Sequence, residues 1–307
     1  EMLRSLVGSE MCIRDRVRLP ALTLENPQLW SCESPQLYNA EVVVTADGMV
    51  VDSLTEQFGI RSLEFSPEFG FKLNGKKIFL QGNANHHDLG ALGATCYDKA
   101  IERMMLQLKS FGYNCIRCSH NPYSDSFARI ADRVGILVVD ELTDKWSDND
   151  YWGGRQPFTH IWHKLITEWI KRDRNRPSII LWSIGNEIDY PNDPYCHPSF
   201  LEMTGNNDAN KPAAERQYDP AKPDMRRLLP IAEELSSIVK SEDESRPVTM
   251  ALAYPELSAK LGMLEHLDVA GYNYKEQYYE ADHKDFPQIP FLGSENGHSY
   301  DCLLYTS

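Results

Sequence analysis

From Trp30 to about Phe65 the chain alternates apolar and polar positions, as in "LYNAEVVVTADGMVVDSLTEQFGIRSLEF". A period of two belongs to β-strands, and the "ADG" in its middle reads as a hairpin turn. No helical pattern occurs before Tyr97. The segment reads as the end of an immunoglobulin-like β-sandwich, cut off at its front.

From about Gly70 the pattern changes to short apolar runs separated by amphipathic stretches. "KIFLQGNANHH", "CIRCSH", "ILVVDE", "IILWSIGNE", "PVTMAL", "LDVAGYNY" and "IPFLGSE" are predicted strands. Between them, helices are predicted over Asp98–Phe111 with Asp98 as N-cap, Ser124–Val134, Phe158–Arg172 and Asp224–Lys240. Repeated strand–helix units imply a parallel sheet. So many of them without a glycine-rich dinucleotide loop favour a (β/α)8 TIM barrel over a doubly wound fold. An eighth strand is expected after Glu295, so the barrel reads as truncated. The proline-rich stretch from Asp189 to Pro223 reads as a long loop over the C-terminal ends of the strands.

The two ends show no interpretable periodicity. Glu10–Arg16 and Cys302–Ser307 can be back-translated into strings that are reverse complements over most of their length. They resemble a translated sequencing adapter, so 1–16 and 302–307 are set aside as non-native. The expected organisation is 17–66 as the C-terminal part of the sandwich and 67–301 as the incomplete barrel.

Composition excludes some classes. Hydrophobic residues make up 42% and charged residues 25%, and the formal net charge is −14. That charge argues against nucleic acid and anionic membrane as partners, and no apolar run is long enough to span a bilayer. The 7 cysteines include a CxxC at Cys115 and Cys118, but residues three apart on a strand face opposite sides. Free, buried thiols are the expectation, and they leave the compartment open between cytoplasm and periplasm or secretion.

The candidate chemistry lies where the predicted strands end. Those ends carry Asn85, His86, His87 and Asp88, then Arg117 and His120, Asp140 and Glu141, Asn186 and Glu187, Tyr272 and Tyr274, and Glu295. In "IILWSIGNE" an uncharged run ends on a carboxylate, which by itself reads equally as a salt-bridge partner or a catalytic group. Polar groups gathered at one rim of a barrel favour catalysis. Two carboxylates with His, Arg, Asn and Tyr between them suit glycoside hydrolysis, one protonated to donate to the leaving oxygen and one ionised to attack. A separation of about 5–5.5 Å would mean retention through a covalent intermediate.

Together "RPSIILWSIGNE", "IRCSHNP", "HHDLGALGA" and "FLGSENG" resemble glycoside hydrolase family 2, in particular its β-galactosidase-like members, over nearly all of 17–301. The resemblance implies Glu187 as acid/base and Glu295 as nucleophile. It implies Asn186 at the sugar 2-hydroxyl, Tyr274 near the nucleophile with Tyr272 a second candidate, and Arg117 and His120 holding nucleophile and sugar. Arg117 beside Glu295 would keep that carboxylate ionised. His86, His87, Asp88 and Glu141 are further substrate-binding candidates, with packing or a salt bridge as the alternative. Trp146, Trp152 and Trp162 are candidates for stacking on sugar, against the alternative of core packing.

No organic cofactor is implied. Some family members bind magnesium through an acidic-histidine stretch after the third strand, which "DELTDKWSDND" does not match. The expected partner is a small carbohydrate with a terminal β-linked sugar, and the oligomeric state is open. The expected activity is retaining hydrolysis of β-D-galactosides. β-Glucuronide is the alternative within the family, and a non-catalytic carbohydrate-binding fragment the alternative outside it. Unpaired edges on an incomplete barrel would make this chain less active than a longer one.

Overall fold

The computed structural model describes residues 22–146, 158–189, 197–199 and 220–297. The adapter-like ends, Trp152 and most of the long loop lie outside the described residues.

The alternating segment forms two antiparallel strands, β1 (Tyr38–Ala46) and β2 (Met49–Phe58). Their turn needs left-handed backbone at both central residues, and Asp47 (φ 52°) and Gly48 (φ 78°) supply it. Tyr38 lies opposite Phe58 with their rings 5.8 Å apart. Next come β3 (Leu63–Ser66), β4 (Gly70–Leu73) and β5 (Lys76–Lys77), a small antiparallel sheet in which Phe65 faces Phe71.

Seven parallel strands follow: β6 (Gly82–His86), β7 (Cys115–Ser119), β8 (Leu137–Glu141), β9 (Ile179–Asn186), β10 (Val248–Leu252), β11 (Val269–Asn273) and β12 (Phe291–Glu295). They neighbour one another strictly in chain order. A doubly wound sheet would reverse its order at a switch point, so this is the winding of a TIM barrel. The connections contain α1 (Asp98–Ser110), α2 (Asp125–Val134), α3 (Phe158–Asp173), α4 (Leu228–Glu242), α5 (Pro255–Ser258) and α6 (Tyr279–Asp285).

Two apolar layers flank the sheet. Ile116, Cys118, Val138, Trp182, Met250 and Ala270 pack outward on helix residues such as Met105, Phe127, Ile170 and Leu235. Cys115, Leu137, Val139, Ile180 and Val269 pack inward with Trp30, Phe71 and Leu73 from the preceding segments. On β7, β8 and β11 neighbours therefore belong to opposite layers. Cys115 and Cys118 fall into different layers and both are free thiols.

Three predicted boundaries shift. "KIFLQGNANHH" is two strands rather than one: Lys76–Lys77 pairs with β4 and Gly82–His86 joins β7, so the chain changes sheets between them. Asp98 is the first residue of α1, while Tyr97 is the N-cap without a side-chain bond. Asp224 caps a 3-10 turn at Met225–Arg227 through Arg226 N–H, 2.8 Å, and α4 begins only at Leu228. Ser124 does cap α2, accepting from Phe127 N–H at 3.2 Å. Among the described residues no helix is long and apolar enough to cross a membrane.

Candidate active site

The inward column of the sheet is apolar at the N-terminal ends of the strands and polar at their C-terminal ends. On β7 it runs from Cys115 to Arg117, and on β8 from Leu137 and Val139 to Glu141. On β9 a bulge intervenes. Ser183 pairs with Thr249, but Asn186 pairs with Ala251, so one residue of β10 is opposed by two of β9. Ser183 and Asn186 thereby both face inward although they are three apart. Gly185 sits in the bulge, where a Cβ would lie 2.9 Å from the Trp146 indole nitrogen. Glu187 follows with φ 48° and is held by its N–H to Ala251 O, 2.7 Å. For a non-glycine residue that backbone is unfavourable by about 1 kcal/mol and marks a fixed geometry.

β11 and β12 are shifted in the same way: Tyr272 pairs with Gly293, yet Asn273 pairs with Glu295. Tyr274 just beyond has φ 55°, and its N–H donates to Glu295 O at 2.7 Å. Asn273 and Glu295 are thereby level with each other.

Arg117 is the hub. It donates through Nε (3.0 Å) and Nη2 (2.7 Å) to Glu141 Oε2, through Nη1 to Glu295 Oε1 at 2.7 Å, and through Nη2 to Asn186 Oδ1 at 2.9 Å. Glu141 also lies 2.7 Å from His120 Nδ1 and accepts from Ser183 Oγ at 2.7 Å. Glu295 Oε2 accepts from the Tyr274 hydroxyl at 2.5 Å. Asn273 Nδ2 donates to Asn186 Oδ1 at 3.0 Å and reaches Glu187 Oε1 at 3.3 Å. Asn186 Nδ2 donates to Asp144 Oδ1 at 3.0 Å. Glu295 is thus tied directly, and Glu187 through Asn273 and Asn186, to one buried arginine.

Burial alone would raise the pKa of Glu295; the Tyr274 hydrogen bond and the charge and hydrogen bond of Arg117 outweigh it and hold the carboxyl below its ordinary range. Asp144 behaves alike: burial would raise it, and the Asn186 and Lys145 hydrogen bonds bring it lower. For Arg117, burial opposes the charge, but Glu141 and Glu295 raise its pKa and keep it cationic.

Arg117, His120, Glu141, Asn186, Glu187, Tyr274 and Glu295 come together in this network. His86 lies at its margin, edge-on to His120 with ring centroids 5.3 Å apart. His87 instead stacks on Tyr123 at 4.8 Å. Asp88 accepts from Gly90 N–H and shapes the turn after β6. Tyr272 is not part of the cluster: it is fully buried in the outward layer, and its hydroxyl donates to Asp282 on α6 at 2.8 Å. Asp140 also points outward, accepting from Trp169 Nε1 at 2.6 Å, and Asn85 turns toward Met104. Trp146 is buried with its indole N–H on Ile184 O, 2.8 Å, and Trp162 reaches Glu234 on α4, 3.0 Å.

Asn273, Asp144, Lys145 and Ser183 were not singled out in the sequence. On β11, buried along its whole length, no local signal separates Asn273 from Tyr272. Asp144 and Lys145 lie beyond the end of β8, where no periodicity operates. Lys145 Nζ binds Asp144 Oδ1 at 2.9 Å and Asn186 O at 3.0 Å. An ammonium thus supplies the positive charge at this carboxylate, and among the described residues no group of three His, Cys, Asp or Glu side chains could hold a metal ion.

The family model described as "Glycosyl hydrolases family 2, TIM barrel domain" matches residues 68–223, and "Glycosyl hydrolases family 2" matches residues 7–61. Beta-galactosidase BoGH2A of Bacteroides ovatus is 35% identical over 277 residues, covering 90% of this chain and 32% of that protein. The crystal structure of a glycosyl hydrolase family 2 member from Bacteroides cellulosilyticus superposes with a TM-score of 0.72 at 37% identity, over 91% of this chain and 33% of that one. A Bacteroides uniformis β-glucuronidase gives a TM-score of 0.72 at 26% identity, over 90% of this chain and 32% of its own. The chain therefore spans about a third of the length of each of these three proteins.

Proposed function

Because the chain belongs to glycoside hydrolase family 2, we propose that it carries the catalytic centre of a retaining β-glycosidase, with Glu295 as nucleophile and Glu187 as acid/base. The observation that carries this reading is the treatment of Glu295. Each of its oxygens receives one strong donor, Arg117 Nη1 on Oε1 and Tyr274 Oη on Oε2. A carboxylate held ionised inside a barrel rim suits attack on an anomeric carbon.

In the first half-reaction a Glu295 oxygen bonds to the anomeric carbon as the glycosidic bond breaks. Glu187 gives its proton to the departing oxygen, and a glycosyl ester of Glu295 remains. In the second half, Glu187 takes a proton from water, the water oxygen attacks the anomeric carbon, and Glu295 leaves as carboxylate. Asn186, whose Oδ1 is occupied by Arg117 and Asn273 and whose Nδ2 gives one hydrogen to Asp144, has its second amide hydrogen for the sugar 2-hydroxyl. His120 borders the network, with His86 edge-on to it.

The sugar we propose is β-galactoside. Among the described residues, the cations at this end of the sheet are already engaged: Arg117 by Glu141 and Glu295, Lys145 by Asp144, Lys275 by Glu256. A uronate carboxylate would add a further anion beside these carboxylates, at a Coulombic cost. The likeness to a Bacteroides uniformis β-glucuronidase favours the second reading, β-glucuronide. Incubation with an activated 2-deoxy-2-fluoro-galactoside, read by intact mass and peptide mapping, tests the proposal. A single adduct on Glu295 is expected. An adduct only with the glucuronide analogue would overturn the sugar, and an adduct on another residue would overturn the nucleophile.

A further inference from the structure

Asp144 stands on the segment that follows β8 and has no place in the two-glutamate scheme. Its Oδ1 is fully used, accepting from Asn186 Nδ2 at 3.0 Å and Lys145 Nζ at 2.9 Å. Its Oδ2 has no partner among the described residues and is not among the buried unsatisfied atoms. The side chain keeps 17% of its surface open, close to the 15% of Glu295 and the 17% of His120. The backbone of Asp144 is fixed as well, since its carbonyl accepts from Asn186 N–H at 3.0 Å. An acceptor that is anchored on one oxygen and open on the other, beside Asn186, is built to receive a hydrogen-bond donor.

We propose that Asp144 is a substrate-binding residue whose Oδ2 accepts a hydrogen bond from a ring hydroxyl of the terminal sugar, with Lys145 and Asn186 holding it in position. The inference rests on the glycosidase reading above and adds a specificity determinant to it. The carboxylate is held ionised by its donors, burial notwithstanding, so it accepts and does not donate. It selects a neutral polyhydroxylated sugar, because a hydroxyl can donate to it and a carboxylate on the sugar cannot. Lys145 has a positioning role: it carries the compensating charge and clamps the Asn186 carbonyl from the same side.

The test compares kcat/KM for nitrophenyl β-galactoside and its 3-, 4- and 6-deoxy analogues in the wild type, Asp144→Ala and Asp144→Asn. Removing the hydroxyl that Asp144 holds should lower kcat/KM in the wild type by about 10- to 100-fold, the range for hydrogen bonds to a charged group. In Asp144→Ala that penalty should nearly vanish at one ring position and persist at the others. Asp144→Asn preserves shape without charge and should give an intermediate penalty at the same position. If Asp144→Ala scales all four substrates by one factor, the residue is structural and the inference fails, while hydrolysis of the parent galactoside by the wild type leaves the glycosidase reading standing. Failure of the wild type to hydrolyse any aryl galactoside or glucuronide would overturn both.

Discussion

Arg117→Met removes one positive charge that two carboxylates share, and the cost can be worked from the contacts. Glu141 is 0% exposed and receives three short donations from Arg117, at 3.0, 2.9 and 2.7 Å. After the substitution it keeps only His120 Nδ1 and Ser183 Oγ, each at 2.7 Å. Breaking a buried ion pair by deleting one partner costs about 3–5 kcal/mol, because the remaining charge stays desolvated. For a domain of this size that corresponds to a fall of about 6–20 °C in Tm. Removing the second charge as well separates packing from chemistry. In Arg117→Met/Glu141→Leu the orphaned carboxylate is gone, so at least half of the lost stability should return. Hydrolysis should not return, since Glu295 still lacks its Arg117 donor. Urea unfolding followed by fluorescence, run beside aryl-galactoside turnover, reads both quantities. An Arg117→Met variant within about 1 kcal/mol of wild type, or a double variant no more stable than the single, would refute the view that Arg117 chiefly neutralises Glu141.

Other outcomes follow from the same geometry. Glu187→Gln should lose about 10²- to 10⁴-fold in kcat on substrates with poor leaving groups and much less on activated aryl glycosides; equal losses on both would remove it as the acid. Tyr274→Phe deletes the donor on Glu295 Oε2, which helps hold that carboxyl low. A nucleophile must be ionised, and activity falls as pH drops through its pKa. The acidic limb of kcat/KM should therefore move to higher pH, and an unmoved limb would contradict the assignment. Asp189 is fully buried, and burial pushes its carboxyl up to about 6 despite donations from Ala253 N–H, Tyr254 N–H and Ser258 Oγ. A carboxyl whose folded pKa is raised favours the folded state at low pH and loses that contribution as pH rises through about 6. Between pH ~3 and ~7 it should remove about 3 kcal/mol of unfolding free energy. Whatever Asp189→Asn does to absolute stability, its profile across that window should be flatter than the wild type's; parallel profiles would count against the shift.

The sequence by itself determined the order and type of the elements. Apolar runs flanked by amphipathic stretches dictate buried strands between covering helices, and their regular alternation dictates a parallel sheet. It also showed which strand ends carry polar and charged groups, since Arg117, Glu141, Asn186 and Glu295 interrupt otherwise apolar runs. What it could not determine was the direction in which each of those residues points. A strand covered on both faces has no polar–apolar alternation, so its phase is absent from the sequence. Tyr272 and Asn273, or Asp140 and Glu141, are equivalent in such a run; only pairing with the neighbouring strands sends Asn273 and Glu141 inward and their partners out. The phase also changes where the backbone bulges. The extra residue on β9 turns Asn186 into the barrel beside Ser183, and the shift between β11 and β12 sets Glu295 level with Asn273. Asp144 and Lys145, beyond the last hydrogen bonds of β8, reach the site only because Asn186 receives them there. Local periodicity fixes the elements, whereas register between distant strands fixes which side chains meet.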